Sequence, residues 1–339
     1  QDIAEELPAL ASKFSYIDEQ WKALMKQVEQ NPGVIDCCFG IPGLKDQLAF
    51  YNETLNLVRK SLNDYLNVKR KAFPRFYFLS NEELLTILSS SREISSVQSY
   101  IGKCFEGIGK MILDKEYQIL GMQSPDSEEV YFLEKVPIFK DPKTLKYVEV
   151  WMSEVQEKMV ACLKELMKGS VEDKSSIIEW VRKWPSQIVQ AVNMVNWTHQ
   201  TEKAIHTGLI ALKSYLETEK LRLETIVELA REPLSELESL TVSTLVVLNV
   251  HTKDLLEDLS QKRIKDIQDF EWQSQMRYYY QEPSVVVEMI ETSINYGFEY
   301  LGNQSRLVIT PLTDRCYRTL MSALKLSLGG APEGPAGTG

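Results

Sequence analysis

The first candidate for chemistry in this sequence is a glycine pattern near residue 339. The run Gly334-Pro335-Ala336-Gly337-Thr338-Gly339 has the spacing G-x-x-x-x-G. This spacing opens the phosphate-binding loop G-x-x-x-x-G-K-[ST], in which backbone N–H groups turn inward and bind phosphate oxygens. The Lys that would reach the β- and γ-phosphates and the Ser/Thr that would hold Mg²⁺ do not follow. Taken alone, the spacing suits a flexible Gly/Ala/Pro tail better than a nucleotide site.

Cysteine and histidine residues are the other reactive groups, and their spacing predicts no metal site and no catalytic residue. The sequence has no C-x-x-C pair and no H-x-x-x-H pair among Cys37, Cys38, Cys104, Cys162, Cys316, His199, His206 and His251. Adjacent Cys37 and Cys38 cannot form an unstrained disulfide with each other. We therefore expect reduced, mostly buried thiols in a cytosolic protein.

Composition narrows the class of protein further. The chain has 339 residues, 44% hydrophobic and 25% charged, with a net charge of −10. An acidic chain gains little from phosphate backbones, so we expect no nucleic-acid partner. No apolar run reaches the roughly 18 residues of a membrane span, so we expect no membrane partner. The start, Gln1 to Glu6, lacks both an initiator Met and the apolar core of a signal peptide, which predicts a fragment.

Apolar periodicity predicts that most of the chain is helical. Residues 11–30 carry one apolar stripe, and residues 44–72 carry a heptad-like seam that Pro74 ends. At 1.5 Å per residue, the helix over 44–72 spans roughly 43 Å and needs a partner helix along its seam. Further helices are predicted from Trp151 to a stop at Gly169, on both sides of Pro185, over 212–230, over 251–268 and over 314–326. The run 245–248 fits a buried helix or a strand equally well.

Shorter patterns predict strands and caps. Residues 117–122 and 129–133 flank Ser124-Pro125-Asp126-Ser127 and predict a small β-hairpin. Residues 75–79 predict a short extended segment, followed by a capping box from Ser80 to Glu83. The strongest strand candidate is 306–310, and we place a domain boundary near 283–296. An exposed apolar strand at 306–310 would make that end poorly soluble.

Three other clusters have competing interpretations. Lys69-Arg70-Lys71 beside aromatic residues could bind nucleic acid, but the acidic chain favours a charged helix end before a buried aromatic strand. Aromatic residues over 270–280 could form a ligand cage, but packing at a domain junction is the better interpretation. Adjacent carboxylates such as Glu82/Glu83 and Glu128/Glu129 are typical of a solvated surface.

Several sequence blocks, taken in their order along the chain, closely resemble the dynein heavy chain family. Their residues are more similar to axonemal than to cytoplasmic members. The resemblance runs from about residue 34 to the end. It rests on the blocks 61–66, 71–85, 103–108, Val148-Glu149-Val150-Trp151, Trp184-Pro185-Ser186-Gln187, 270–279, 296–303 and Asp314-Arg315-Cys316-Tyr317.

The resemblance implies a mainly α protein in two parts. Residues 1–285 correspond to the C-terminal portion of the dynein linker, an elongated multi-helix bundle with a small β-hairpin. Residues 286–339 correspond to the N-terminal fragment of the first AAA+ module, an incomplete α/β start that ends inside the phosphate loop. The resemblance also assigns nucleotide binding to the loop Gly334 to Gly339 and the adenine pocket to Leu307, Val308, Ile309 and Pro311.

The implied function is that of a lever in a ciliary microtubule motor, carrying ATP-driven conformational change. The intact parent would use ATP and Mg²⁺, whereas this chain, without the loop Lys and Ser/Thr, should not hydrolyse ATP alone. The implied partners are the AAA+ ring of the same heavy chain and, through other regions, dynein intermediate/light chains and microtubules. The implied location is the cytoplasm/cytoskeleton and the cilium axoneme. Two alternatives stay open, an independent nucleotide-binding enzyme and a helical scaffold or interaction protein without nucleotide binding.

Overall fold

The computed structural model describes residues 7–89, 94–141, 144–304, 306 and 308–334. Within these ranges no helix is both long and apolar enough to cross a membrane. The protein is mainly helical, as predicted. Its helices are α1 Pro8–Gln30, α2 Val34–Gly40, α3 Leu44–Ala72, α4 Asn81–Ser89, α5 Ile94–Cys104, α6 Val148–Glu172, α7 Ile177–Lys183, α8 Ser186–Thr207, α9 Leu209–Leu229, α10 Glu236–Gln261, α11 Phe270–Gln273 and α12 Pro311–Lys325.

The strands form small antiparallel sheets. They are β1 Lys110–Leu113, β2 Ile119–Gln123, β3 Glu129–Val136, β4 Phe139–Asp141, β5 Thr144–Leu145, β6 Arg277–Gln281, β7 Ser284–Met289 and β8 Thr292–Asn295. The sheet orders are β1-β2-β3, β4-β5 and β6-β7-β8. Strands β2 and β3 are the predicted hairpin, with Met122 opposite Val130. The third strand of that sheet and the sheet β6-β7-β8 were not predicted.

The chain divides into two compact units, Gln1–Phe105 with Pro137–Val155, and Glu106–Val136 with Gln156–Gly339. In the first unit, α3 covers the predicted helix and α1 packs along it. The basic end of α3 is tied down, because Lys69 Nζ lies 2.7 Å from Glu149 Oε1 and 4.4 Å from the centre of the Tyr147 ring. This ion pair is buried, so the end of α3 is a packed structural element.

The segment after α3 is wrongly predicted as extended. Residues Pro74–Phe78 form a 3₁₀ helix, in which Phe76 N donates to Phe73 O at 3.0 Å. Proline at the first position fixes φ in the helical range, which favours this turn. Phe76 is buried and packs edge-on against Phe73 at 5.0 Å, whereas Phe78 is exposed. Arg70 Nη2 donates to Leu79 O at 3.1 Å and holds the turn against α3.

In the second unit, α8, α9 and α10 surround a core that includes Trp197, Leu212, Leu256 and Trp272. Pro185 separates α7 from α8, as predicted. The ambiguous run 245–248 lies inside α10, which begins with a complete capping box between Ser235 and Glu238. Residues 245–248, whose pattern fits a helix or a strand equally well, are therefore helical.

Other predicted ends and strands differ from the structure. Helix α6 continues past Gly169 to Glu172, and the glycine instead allows close packing, since an added Cβ would lie 2.7 Å from the Trp184 ring. The polar helix predicted over 251–268 ends at Gln261. Of residues 306–310, those that the structure describes form no strand, and Thr310 instead caps α12. A strand needs a hydrogen-bonded neighbour, and no described segment pairs with this one.

The thiols are free, but the prediction that most are buried is wrong. Cys104 and Cys162 are buried, Cys37 is half-buried, and Cys38 and Cys316 are exposed. Burial raises the pKa of both Cys104 and Cys162 to about 11. These two thiols are therefore poor nucleophiles at neutral pH.

Candidate functional site

The predicted phosphate-loop residues lie almost entirely outside the described part of the chain. Gly334 is described and is exposed in an irregular segment. Pro335, Ala336, Gly337, Thr338 and Gly339 lie outside the described residues. The nucleotide-binding loop therefore stays a prediction from the sequence.

Three of the four predicted adenine-pocket residues lie within the described part of the chain. Leu307 lies outside the described residues. Ile309 lines a cavity of about 360 Å³ between helices α8, α10 and α12. Val308 has an exposed fraction of 68%, and Pro311 is exposed at the first position of α12. Their role in binding adenine also stays a prediction.

A different site is well formed in the second unit. We call residues 296–303, which follow strand β8, the junction segment. It has no regular secondary structure, yet Phe298 and Tyr300 are fully buried. Its backbone polar groups must therefore find partners inside the protein. Its backbone bonds to α8, to Met159 on α6 and to Val285 on β7. Its side chains bond to α8, to the turn between β2 and β3, and to the first turns of α10.

Gln187, at the second position of α8, binds the junction segment with both ends of its amide. Its Nε2 donates to Tyr296 Oη and to Glu299 O, each at 2.7 Å. Its Oε1 accepts from Leu301 N at 2.8 Å. Pro185 starts α8 at this point, and helical geometry then directs Gln187 to the segment. An amide is required here, because the segment offers both a donor and acceptors.

Glu128 joins the same segment to the start of α8. Its Oε1 accepts from Ser186 N at 2.8 Å, and its Oε2 accepts from Tyr300 Oη at 2.6 Å. Ser186 N is one of the helix N–H groups without an intrahelical partner, and a carboxylate suits that end of the helix dipole. Burial, and next the charge of Glu128, raises the pKa of Tyr300 above its usual value. The phenol therefore stays protonated and donates.

Asn303 connects the end of the junction segment to two helices. Its Oδ1 accepts from Ser186 Oγ at 2.7 Å. Its Nδ2 donates to Leu237 O at 3.1 Å and to Thr241 Oγ1 at 2.9 Å, both on α10. Asn303 has an exposed fraction of only 2%, so these bonds are shielded from water.

Two glycines allow the backbone to come this close. A Cβ on Gly107 would lie 2.3 Å from Tyr300 O and 2.4 Å from Leu301 Cα. Real Cβ atoms do not approach that closely, and the obstructing atoms are backbone. Gly302 has φ of +66°, a left-handed conformation that favours glycine. The junction segment is thus fixed by shape as well as by hydrogen bonds.

The site anchors the protein's own chain and offers little for catalysis. Its polar groups are amides, hydroxyls and one carboxylate, already engaged in hydrogen bonds. Across the described ranges, no group of three or more His, Cys, Asp or Glu could hold a metal ion. The arrangement can fix one segment firmly against three others.

Sequence reasoning missed these roles, although some signals were present. The blocks Trp184-Pro185-Ser186-Gln187 and 296–303 carry the family resemblance, yet spacing gave no reason to bring them together. Glu128 was wrongly predicted to be solvated surface, because an acidic residue in a turn usually is. The structure shows instead that it has two hydrogen-bond donors as partners.

Residues Trp272 and Tyr278 of the aromatic run 270–280 pack against the core of the second unit, and Tyr278 also lines the cavity of about 360 Å³. Trp272 is fully buried, with its ring centre 5.3 Å from that of Trp197. Trp272 Nε1 and Tyr279 Oη both donate to Glu202 Oε1, at 3.1 Å and 2.7 Å. Phe270 differs from the others and is exposed. This packing fastens α11 and β6 to α8.

The fold and the anchored segment define a helical protein that binds part of its own chain. Residues 1–170 match the family described as "Dynein heavy chain, N-terminal region 2". Residues 296–339 match the family described as "Hydrolytic ATP binding site of dynein motor region". The second match begins at the first residue of the junction segment. The chain therefore belongs to the dynein heavy chain family.

Relatives match along the whole chain. Human "Dynein axonemal heavy chain 3" is 42% identical over 342 residues, covering 100% of this chain and 8% of the relative. Mouse "Dynein axonemal heavy chain 12" is 39% identical over 341 residues, covering 100% and 11%. Mouse "Dynein axonemal heavy chain 1" is also 39% identical over 341 residues, covering 100% and 8%. The chain thus corresponds to a small part of axonemal heavy chains, as the resemblance predicted.

Proposed function

We propose that this chain is the part of an axonemal dynein heavy chain that joins a helical lever to the first ATP-binding module. The observation that carries the proposal is the anchoring of the junction segment by Gln187, Glu128 and Asn303. A lever transmits displacement only if its connection to the moving part is stiff. Hydrogen bonds shielded from solvent and a close backbone approach provide such stiffness.

In this proposal residues 1–285 are the lever and residues 286–339 begin the ATP-binding module. The parent would bind ATP with Mg²⁺ at a loop that includes Gly334 to Gly339, with Leu307, Val308, Ile309 and Pro311 near the base. ATP binding can move the lever only if the lever has different contacts in the two states. The junction segment would carry that difference from the module into α8 and α10.

Partners and location follow from the parent. The lever would contact the AAA+ ring of the same heavy chain, while intermediate/light chains and microtubules would bind elsewhere. The relatives' printed names support a place in the cilium axoneme. The 339-residue chain alone should not turn over ATP, because the sequence contains the first glycines of the loop without the Lys and Ser/Thr.

The proposal is tested in the intact heavy chain with Gln187→Ala. We expect ATP turnover to persist and microtubule gliding to slow strongly, because the module still works while its connection to the lever is loosened. Gln47→Ala is the matched control, since Gln47 is exposed on α3. Retained turnover in the Gln187 variant would show that the motor is folded. Equal gliding velocities for the two variants would overturn the proposal.

One observation favours a second candidate, a helical scaffold for protein partners. Helices α1 and α3 of the first unit leave large apolar side chains exposed, among them Phe14 at 52%, Trp21 at 46% and Phe50 at 52%. A contiguous apolar surface marks an interaction site, and Phe14 lines an apolar groove between these two helices. The codons after Gly339 in the parent gene separate the two candidates, since Lys-Thr or Lys-Ser favours the motor and any other pair favours the scaffold.

A further inference from the structure

A buried backbone donor of the junction segment has a sulfur atom as its partner. Tyr300 N donates to Sδ of Met159, on α6, at 3.4 Å. Both residues have an exposed fraction of 0%, so the contact is shielded from bulk water. A thioether is a weak hydrogen-bond acceptor, and a buried N–H without any partner costs free energy. The contact is therefore weak for a hydrogen bond, yet it decides whether Tyr300 N is satisfied.

The peptide groups around Tyr300 cannot easily turn toward another acceptor. Glu128 Oε2 accepts from Tyr300 Oη at 2.6 Å, and Gln187 Oε1 accepts from Leu301 N at 2.8 Å. The backbone of Gly107 lies so close that an added Cβ there would be 2.3 Å from Tyr300 O. These contacts fix Tyr300 at its side chain, at its carbonyl and at the next N–H. Its own N–H therefore depends on the atom that α6 places opposite it.

The backbone beside this contact is held in a conformation that it does not prefer by itself. Phe298 has φ of +51°, in the left-handed region, which costs an aromatic residue free energy. Its ring packs edge-on against Tyr296, with centres 5.0 Å apart, and Lys164 Nζ on α6 lies 5.6 Å from its centre. Such a backbone persists only where surrounding contacts hold it. Helix α6 therefore helps to select the path of the junction segment.

From these contacts we propose that Met159 is a positioning residue, whose sulfur, acting as an acceptor, holds the junction segment on its path. Apolar volume alone does not do this, because leucine would fill similar space and leave Tyr300 N unpaired. The inference deepens the proposed function and rests on it for one step, in which Met159 belongs to the lever and Tyr300 to the ATP-binding module. Their contact would then carry movement from the module into α6.

Amide hydrogen exchange on the 339-residue chain tests the role of the sulfur. Met159→Leu nearly conserves volume, a change that protein cores tolerate well, and removes the acceptor. We expect Tyr300 N to exchange about tenfold faster, the effect of losing one hydrogen bond. Met159→Gln has a side chain of similar length whose amide oxygen can accept, and it should restore most of the protection. Met167→Leu, on the same helix with an exposed fraction of 0%, is the matched control and should leave Tyr300 N unchanged.

Three results would overturn the inference. They are unchanged protection of Tyr300 N in Met159→Leu, an equal loss in Met159→Gln, and an equal loss in Met167→Leu, because each would mean that the sulfur is not the required acceptor. Gliding assays on the intact heavy chain separate the inference from the proposed function. Met159→Leu should keep ATP turnover and lower the gliding velocity. Faster exchange at Tyr300 N with unchanged gliding would confirm Met159 as a positioning residue and count against the lever.

Discussion

Helices α1 and α8 have almost the same length, but α1 is mostly not buried whereas α8 is mostly buried. Of the 23 residues of α1, only Ile17 is buried. Of the 22 residues of α8, fifteen are buried, including polar Gln187 and Gln190. The apolar stripe that predicts α1 is therefore a poor guide to burial. The deeply buried helix is the one whose sequence mixes apolar and polar residues on every side.

The difference follows from what each helix contacts. Helix α1 packs on α3 with mainly apolar side chains that line a groove. Helix α8 is surrounded in its own unit and uses Gln187 to bind an irregular segment. Apolar packing tolerates sliding, whereas a buried hydrogen-bond network fixes one arrangement. The second region is thus suited to a stiff connection.

The sharpest test of this comparison replaces a glycine in each region. Gly107→Ala should lower the free energy of unfolding by about 3 kcal/mol, because the new Cβ would meet backbone atoms 2.3–2.4 Å away. Gly40→Ala, at the end of α2, should change it by less than about 0.5 kcal/mol, since nothing lies within 4 Å of its added Cβ. Urea unfolding followed by tryptophan fluorescence measures both. Similar losses would show that the junction segment is not tightly fixed.

We expect the second largest loss of stability when the side-chain amide of Gln187 is removed. Gln187→Ala should cost about 2 kcal/mol, because Leu301 N and Tyr296 Oη lose their partner in the interior. The exposed Gln47→Ala on α3 should stay within about 0.5 kcal/mol. Amide hydrogen exchange adds a local readout, and Leu301 N should exchange faster in the first variant. Unchanged protection at Leu301 would refute the role of Gln187.

Neutralising a carboxylate in each region should have a smaller effect. Glu128→Gln keeps the shape but presents an amide NH₂ to one of two donors, Ser186 N or Tyr300 Oη. We expect a loss of about 1 kcal/mol. The exposed Glu53→Gln on α3 should have almost no effect. The same unfolding assay measures both variants. Equal losses of unfolding free energy would mean that Glu128 behaves as a solvated surface carboxylate, as the sequence predicted.

Much of the helical fold could be predicted, because periodicity and caps are local. The seam of α3, the capping box from Ser80 to Glu83 and the break at Pro185 all depend on residues a few positions apart. The failures depend on distant partners. Gly169 packs against Trp184 and does not end α6. The described residues of 306–310 form no strand, since no described segment pairs with them.

Sequence patterns could not predict the anchoring site either, because its residues are far apart along the chain. Gln187 and Glu299 are 112 positions apart, and Glu128 and Tyr300 are 172 positions apart. Neither pair has a spacing that signals contact. The blocks that contain Gln187 and Tyr300 were still singled out through family resemblance, which selected the right residues without giving their roles.

The smallest effect that separates the regions is a dependence on pH, since all three histidines lie beyond residue 198, in the second unit. Burial lowers the pKa of His251, and the charges of Asp314 and Asp254 offset part of that change. The unfolded chain then binds a proton that the folded chain resists. Stability from neutral His251 is therefore full above the ordinary histidine pKa of about 6.5 and is lost as the pH falls through the lower, folded value. His251→Gln should flatten the slope of unfolding free energy against pH in this window, while the exposed His206→Gln on α8 should not. If both variants keep the original slope, the acid sensitivity of the second unit arises from its carboxylates, and α10 carries no buried titrating group.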